Sequence, residues 1–346
     1  MRVPLPAAMT TTSTGVSMLL MRFPVSFSAR GFRQLARTTR SFWTLAERTP
    51  RFCNWIICLL AVLALSACST VKLAYSQSPD LAYWYFDGYV DFNEVQSRQI
   101  KADLDALQAW HRQTQLPAYI TLLQKMQGQM RGEITAPEAC AAFTEVRRQA
   151  VTLYEQAEPS LAALAVTLQK DQLEHMQGKF AKVNADYRDD FMEGDAKSIK
   201  QERRKQLSKR YENLYGRLDE QQLALMERLV DQSKFDAARS YTERLRRQKD
   251  MLQTLAKVAT DAPGGSNAAE KARLAQPALK ALFDRSLNSP DAAHRAYAEK
   301  LTADNCRIFS EIHRSTTAAQ RAKAVQVLAG YEKDLKILAA TNTLGE

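Results

Sequence analysis

The chain has 346 residues, enough for one large domain or two ordinary ones. Hydrophobic residues make up 45% and charged residues 25%, which excludes a mainly disordered chain, a collagen-like chain and a disulfide miniprotein. The formal net charge of +10 suggests an anionic partner, unless that charge is confined to one segment.

Most of the positive charge lies before residue 68. Residues 1–67 contain eight arginines and a single acid, Glu47, so they carry +7 of the +10. The remaining chain has 40 basic and 37 acidic side chains and a net charge of +3. We therefore do not expect nucleic acid as a partner.

The arginine-rich segment is followed by a short apolar run, Trp55–Leu65. Its eleven residues are fewer than the roughly 20 needed to span a bilayer. A basic region, a short apolar region and small residues after it are typical of a secretory signal peptide. We predict a signal over residues 1–67, with translation starting at Met1 or a later methionine.

The segment Leu65-Ser66-Ala67-Cys68 resembles the bacterial lipobox. The resemblance implies cleavage before Cys68, lipid attachment (palmitate) to its thiol, and a lipid-anchored tether over residues 68–78. Ser69, in place of Asp, implies the outer membrane of a Gram-negative bacterium, with the protein facing the periplasm. The alternative is an uncleaved anchor in which Cys68 has no such role.

Two cysteines remain beyond Cys68, namely Cys140 and Cys306. In an oxidising compartment such a pair predicts a disulfide. The alternative is two buried free thiols.

A first helix is predicted over Asp80–Asp87, started by Pro79 and ended by Gly88. Aromatic residues crowd this region: Tyr75, Tyr83, Trp84, Tyr85, Phe86, Tyr89 and Phe92. They are interpreted either as core or as an interfacial belt near the lipid.

The rest of the chain predicts further helices. Three helices are expected over about 92–114, from Pro117 to about 131, and from a Thr135–Glu138 capping box to Gln156. The last of these is expected to break at Glu158-Pro159. Three more are expected over 268–287, over 291–313 and from 317 to about 340. Apolar stripes such as Leu173, Met176, Phe180 and Val183 indicate long amphipathic helices between them. Strand signals are few. The predicted fold is all-α, with long antiparallel amphipathic helices in an elongated bundle or stacked helical hairpins, forming one periplasmic domain over residues 79–346 with a linker near 261–267.

Several helix starts share a pattern of a capping residue, two further residues and Gln or Glu. The Gln or Glu lies at residues 172, 222, 270 and 320, about 49 residues apart, which is one helical hairpin. The segments at Gln222 and Gln320 resemble the LTxxQ motif of helical periplasmic proteins of the Spy and CpxP type, which are chaperones or envelope-stress regulators. At Gln172 the match is weaker, because Gln169 is a poor N-cap.

The mature chain more closely resembles a family of uncharacterised proteobacterial helical lipoproteins, a domain of unknown function. The segments that carry this resemblance are 87–92, 110–119 and 168–187. It implies a compartment and a helical fold, and it implies no activity.

Residue patterns for catalysis, metal or cofactors are absent from the sequence. Two clusters remain as candidate binding residues. Trp110, His111 and Arg112 form either a binding cluster or a helix-end packing cluster. Lys200, Arg203 and Arg204 lie in a basic run that either binds envelope anions or is a solvated helix face.

The expected function is therefore non-catalytic: binding or holding of envelope components such as unfolded periplasmic proteins. The alternative is a structural protein that contacts the cell wall or anionic lipid through its basic helices. An enzyme is the third hypothesis. Neither a cofactor nor a small-molecule substrate is expected.

Overall fold

The computed structural model describes residues 70–260 and 267–341, and all regular structure in these ranges is helical, so the predicted all-α class is confirmed. The chain divides into two compact units between Gln77 and Ser78, and α1 (Thr70–Ser76) belongs to the first. The predicted signal, Cys68 and residues 261–266 of the predicted linker lie outside the described ranges.

The helices of the second unit follow in chain order. They are α2 (Ser78–Val90), α3 (Glu94–Trp110), a π-helical turn (His111–Gln115), α4 (Leu116–Gln129), α5 (Ala136–Ala165), α6 (Lys170–Phe191), α7 (Ala196–Tyr215), α8 (Glu220–Gln232), α9 (Ala237–Thr260), α10 (Ala268–Leu287), α11 (Ala292–Arg314) and α12 (Ala318–Ala340). None of the described helices is both long and apolar enough to cross a membrane.

The predicted end of the first helix at Gly88 is wrong, because α2 continues through it to Val90. The helix ends where Asp91 adopts a φ of 58°, in the left-handed region. The Asp87 carboxylate then accepts a hydrogen bond from the Phe92 N–H at 3.0 Å and stabilises the turn into α3.

A predicted break before Pro117 is replaced by the π-helical turn His111–Gln115, which joins α3 to α4 directly. The Leu116 N–H bonds to the His111 carbonyl, five residues back. Pro117 follows this turn directly, as the second residue of α4.

The predicted break at Glu158-Pro159 is also wrong. Helix α5 runs through Pro159 and ends at Ala165. In the turns after the proline, Ala162 and Ala165 are almost completely buried. They pack against Val258, Ala275 and Leu279. Burial of this apolar face outweighs the local cost of the proline, which sequence reasoning had taken as decisive.

The helices pack both on sequence neighbours and on helices distant in the chain. Some pairs are adjacent in sequence, such as α2 with α3 and α7 with α8, whereas α4 packs on α12 and α5 packs on both α10 and α11. The largest core cluster lies where α4, α5, α7, α8, α11 and α12 meet. Its most buried members are Tyr215, Met226, Leu229, Cys306, Ile312, Ala324 and Leu328.

The aromatic residues of α2 divide between the two interpretations. Tyr83 packs on Phe92 with ring centroids 5.9 Å apart, and Tyr89 packs on Phe180 of α6 at the same distance. Trp84, in contrast, is 74% exposed. Core packing therefore accounts for the tyrosines and does not account for Trp84.

The structure joins Cys140 of α5 to Cys306 of α11 in a disulfide, with their Cα atoms 5.4 Å apart. Cys306 is fully buried in the largest core cluster. Because 166 residues separate the two cysteines, the bond closes a long loop. Such a loop restricts the unfolded chain strongly.

Removing the disulfide with a Cys140→Ser, Cys306→Ser double variant is expected to lower the free energy of unfolding by about 3–5 kcal/mol in the chain-entropy account. Urea denaturation followed by circular dichroism measures this. Wild type in the presence of reductant should lose a similar amount. Two reactive thiols at these positions in unfolded, non-reduced protein would contradict the bond.

Candidate functional site

Two helix starts are joined by a pair of buried glutamines, Gln96 of α3 and Gln172 of α6. The Gln96 Nε2 donates to the Gln172 Oε1 at 3.1 Å, and the Gln172 Nε2 donates to the Gln96 Oε1 at 2.7 Å. Gln96 also donates to the Thr167 carbonyl at 3.2 Å, and Gln172 donates to the Asp91 carbonyl at 3.0 Å. Each amide thus holds its partner side chain and the chain that leads into the partner helix.

The same arrangement recurs between Gln222 of α8 and Gln320 of α12. Their side chains exchange hydrogen bonds of 2.7 and 2.9 Å. Gln222 donates to the Ser315 carbonyl and Gln320 to the Arg217 carbonyl, both at 2.9 Å. We call these two arrangements the glutamine clasps.

Each clasp glutamine also caps its own helix. The Oε1 of Gln96, Gln172, Gln222 and Gln320 accepts from the backbone N–H three residues earlier, at Asn93, Gln169, Asp219 and Thr317. Each glutamine Nε2 also donates to a backbone carbonyl next to the partner helix. That carbonyl belongs to the residue two positions before the N-cap of the partner helix. One short motif therefore serves both as a capping box and as a contact between helices.

The clasp partners are not neighbours in the repeat of about 49 residues that the sequence suggests. Clasped residues lie 76 and 98 positions apart. Glu270, the third member of that spacing, instead pairs with Arg273 of its own helix. Sequence reasoning missed Gln96, although Asn93-Glu-Val-Gln96 after Phe92 carries the same signal.

The predicted basic run lies on α7, and acids of α8 face it. Lys200 pairs with Asp231 at 3.3 Å, and Arg204 pairs with Glu227. Arg203 lies over the ring of Phe235, with 4.4 Å between guanidinium and ring centre. These contacts offset much of the charge of the run and hold α7 against α8, so they favour a helix-packing role for Lys200, Arg203 and Arg204.

A second basic group, on α9, is also tied into internal ion pairs. Glu243 is 3% exposed and accepts hydrogen bonds from Arg246 at 2.8 Å and Arg247 at 3.0 Å. Burial would raise the pKa of Glu243, but these arginines outweigh it and hold the pKa below its ordinary value. Ser289 donates to the same carboxylate at 3.1 Å, which connects α9 to the loop after α10.

Trp110, His111 and Arg112 lie where α3 meets the π-helical turn, and all three are partly buried. The His111 ring lies 5.5 Å from the Tyr119 ring. Burial lowers the pKa of His111 to about 4, so its imidazole is neutral at physiological pH. The geometry resembles a packing cluster around the turn more than a surface for a ligand.

His313 is the most buried histidine among the described residues. Its Nε2 donates to the Gly132 carbonyl at 2.8 Å, so its Nδ1 accepts from the Tyr215 hydroxyl, also at 2.8 Å. Burial lowers the pKa of His313, as expected for a neutral ring used as a structural bridge. Within 70–260 and 267–341, no group of three or more His, Cys, Asp or Glu residues is placed to hold a metal ion.

An open cleft of about 470 Å³ lies beside the first turn of α12. Its lining residues are Arg131, Thr316, Ala318, Arg321, Ala322 and Val325. Arg321 is held by the Gly132 carbonyl at 3.1 Å and by the Thr316 hydroxyl at 3.2 Å. Arg131 is exposed. The two guanidiniums and the helix N-terminus make the cleft electropositive.

Breaking one clasp tests its contribution to stability. Gln222 is 2% exposed, so Gln320→Ala would leave a buried amide without its partner. We expect a loss of about 1–3 kcal/mol in the free energy of unfolding, measured by urea denaturation. The Gln222→Ala, Gln320→Ala double variant should lose less than the sum of the single variants.

Glu138→Ala is the matched control for this experiment. Glu138 closes the capping box of α5 with Thr135, but it is exposed and reaches no second helix. Its loss is expected to stay within about 1 kcal/mol. Equal losses for Gln320→Ala and Glu138→Ala, together with additive clasp variants, would contradict the clasp account.

Comparison with known proteins places the chain in a family and identifies no activity. No curated protein matches it significantly, and no solved structure does. Residues 88–276, more than half of the chain, match a family described as "Family of unknown function (DUF6279)". Both members of the first clasp lie within the matched segment. The chain therefore belongs to this family of unknown function.

Proposed function

We propose that the protein is a lipoprotein anchored in the outer membrane, facing the periplasm, where it binds or holds other envelope components without catalysing a reaction. Unfolded periplasmic proteins are the leading candidates for what it holds. An enzyme is the least supported of the three hypotheses.

The observation that carries this proposal is the pair of glutamine clasps. The clasp motif is the feature that resembles the LTxxQ pattern of periplasmic chaperones and stress regulators. Two of its four copies, at Asp219–Gln222 and Thr317–Gln320, supply that resemblance. They join two helix starts into one rigid junction, which suits a scaffold that presents surface to a partner.

The use of buried polar groups supports a non-catalytic role. The carboxylate of the buried Glu243 accepts hydrogen bonds from arginines. Both ring nitrogens of His313 are hydrogen-bonded, one to Tyr215 and the other to Gly132. Catalysis requires an acid, base or nucleophile that faces a substrate-sized space. The cleft beside α12 is instead lined by guanidiniums and small side chains.

Lipid attachment is tested by labelling cells with an alkyne analogue of palmitate. We expect the wild type to be labelled and Cys68→Ser to lose the label and remain uncleaved. Cys58→Ser is the matched control, because Cys58 lies in the apolar run before the cleavage point. Persistent labelling of Cys68→Ser would contradict the anchor.

The holding activity is tested with a chemically unfolded protein diluted into buffer, with aggregation followed by light scattering. Capture of unfolded chains requires exposed apolar side chains. Leu223 and Leu245 are 40% and 41% exposed. We therefore expect wild type to suppress aggregation and a Leu223→Gln, Leu245→Gln variant to suppress it less.

Lys209→Gln, Lys249→Gln is the matched control, since it changes two exposed side chains on α7 and α9 without removing apolar surface. It should keep wild-type suppression. Absence of suppression by wild type at stoichiometric excess would remove the chaperone-like function from consideration.

A second candidate function, contact with an acidic cell-wall polymer or anionic lipid, is favoured by the cleft beside α12. Its two arginines and the first turn of α12 attract anions. The basic run at Lys200, Arg203 and Arg204 is less suited to this role because of its ion pairs with α8.

Co-sedimentation with purified sacculi tests this second function. We expect binding that weakens as salt rises. Arg131→Gln should reduce it, whereas Lys200→Gln, the ion-paired control, should not. Salt-independent binding, or equal effects of the two variants, would contradict a role for the cleft.

A further inference from the structure

Trp84 is the most exposed large hydrophobic side chain among the described residues, at 74% of its surface. Tryptophan in a water-soluble protein is normally buried for the most part. The flanking residues Tyr83 and Tyr85 are only partly exposed. Trp84 therefore projects furthest from α2, Phe86 is 44% exposed, and the tyrosines of the helix are partly buried.

The helix that presents Trp84 is held firmly. The Tyr83 hydroxyl donates to the Ser97 hydroxyl of α3 at 3.0 Å, and Tyr89 packs on Phe180 of α6. Val90 is buried against Leu168 and Met176. Because α2 is fixed on both sides, it cannot rotate to bury Trp84 in the protein itself.

Lysines lie on both flanks of α2. The Lys101 ammonium of α3 is 4.5 Å from the centre of the Tyr83 ring, and that of Lys179 of α6 is 5.5 Å from the Tyr89 ring. Asp80 and Asp87 lie on α2 itself, and Asp87 caps the turn to Phe92. Helix α2 thus carries an exposed indole and has lysines from both neighbouring helices over its tyrosine rings. Tryptophan, tyrosine and lysine side chains are favoured at a bilayer surface.

Trp84 is also close in sequence to the predicted lipid attachment point. It lies 16 positions after Cys68. Even fully extended, this stretch spans at most about 58 Å, so a lipid on Cys68 confines Trp84 to within that distance of the bilayer. This argument rests on the proposed lipid anchor and favours a phospholipid bilayer over a second copy or a client protein.

We propose that α2 contacts the bilayer surface and that the indole of Trp84 inserts at the boundary between headgroups and acyl chains. The lipid would then tether the chain, and Trp84 would set the orientation of the helical unit on the membrane. Such a contact adds a second membrane signal to the lipid on Cys68.

The tryptophan content of the chain makes this contact measurable. Of the four tryptophans, Trp43 and Trp55 precede Cys68, so the mature protein has only Trp84 and Trp110. The test uses the lipidated full-length product carrying Trp110→Phe, reconstituted into phosphatidylethanolamine and phosphatidylglycerol vesicles with or without brominated acyl chains. We expect brominated lipid to remove about half or more of the Trp84 fluorescence.

The reciprocal variant Trp84→Phe is the control, because its remaining tryptophan, Trp110, is partly buried in the protein. Brominated lipid should leave its fluorescence nearly unchanged. Flotation of the vesicles on a density gradient reports the anchor separately from the indole.

Three outcomes would overturn the proposal. In the first, the protein floats with the vesicles, but Trp84 is quenched by aqueous acrylamide and not by brominated lipid. This result would contradict the indole contact and agree with the lipid anchor. Protein that floats with Trp84 shielded from both quenchers assigns α2 to a protein partner. Protein that does not float overturns the contact and the proposed anchor together.

Discussion

The structure depends on joining helix starts that are far apart in sequence. Each glutamine clasp places two helix N-termini side by side and satisfies their buried amides with each other and with neighbouring carbonyls. A buried amide without partners costs more than one that keeps them, so each helix start holds the other in place. The disulfide between Cys140 and Cys306 adds a covalent link between α5 and α11. Together these contacts hold distant segments in one helical unit.

Most of the charge and polarity that first suggested ligand binding is used within the fold. Arg204 meets Glu227, Arg246 meets Glu243, and His313 bridges Tyr215 and Gly132. Within the described ranges, two features stay outside these internal contacts: an electropositive cleft beside α12 and an exposed indole on α2. The cleft is open to solvent, and the indole projects from the helix surface.

Local signals predicted helix starts well and helix ends poorly. Thr135, Asp219 and Thr317 each cap a helix as expected, because capping depends on a few adjacent residues. Gly88 and Pro159 were expected to end helices and do not. The free-energy cost of a glycine or proline within the helix is small compared with the gain from the apolar surface that the longer helix buries. The helices against which that surface packs are distant in sequence. The pairing of the clasp glutamines escaped prediction for the same reason, since a capping box looks alike whether it faces solvent or another helix.

The sequence by itself determined the helical class, the capped starts, the cysteine pair and the separation of a basic N-terminal segment from a nearly neutral remainder. Periodicity, capping chemistry and composition are properties of neighbouring residues, so they can be read without coordinates. Only the tertiary structure decided which polar groups are free. It placed α8 acids against the basic run, paired four glutamines across helices and left Trp84 exposed while its neighbours were packed. Those outcomes depend on which helices meet, and that is set by the summed burial of many distant side chains.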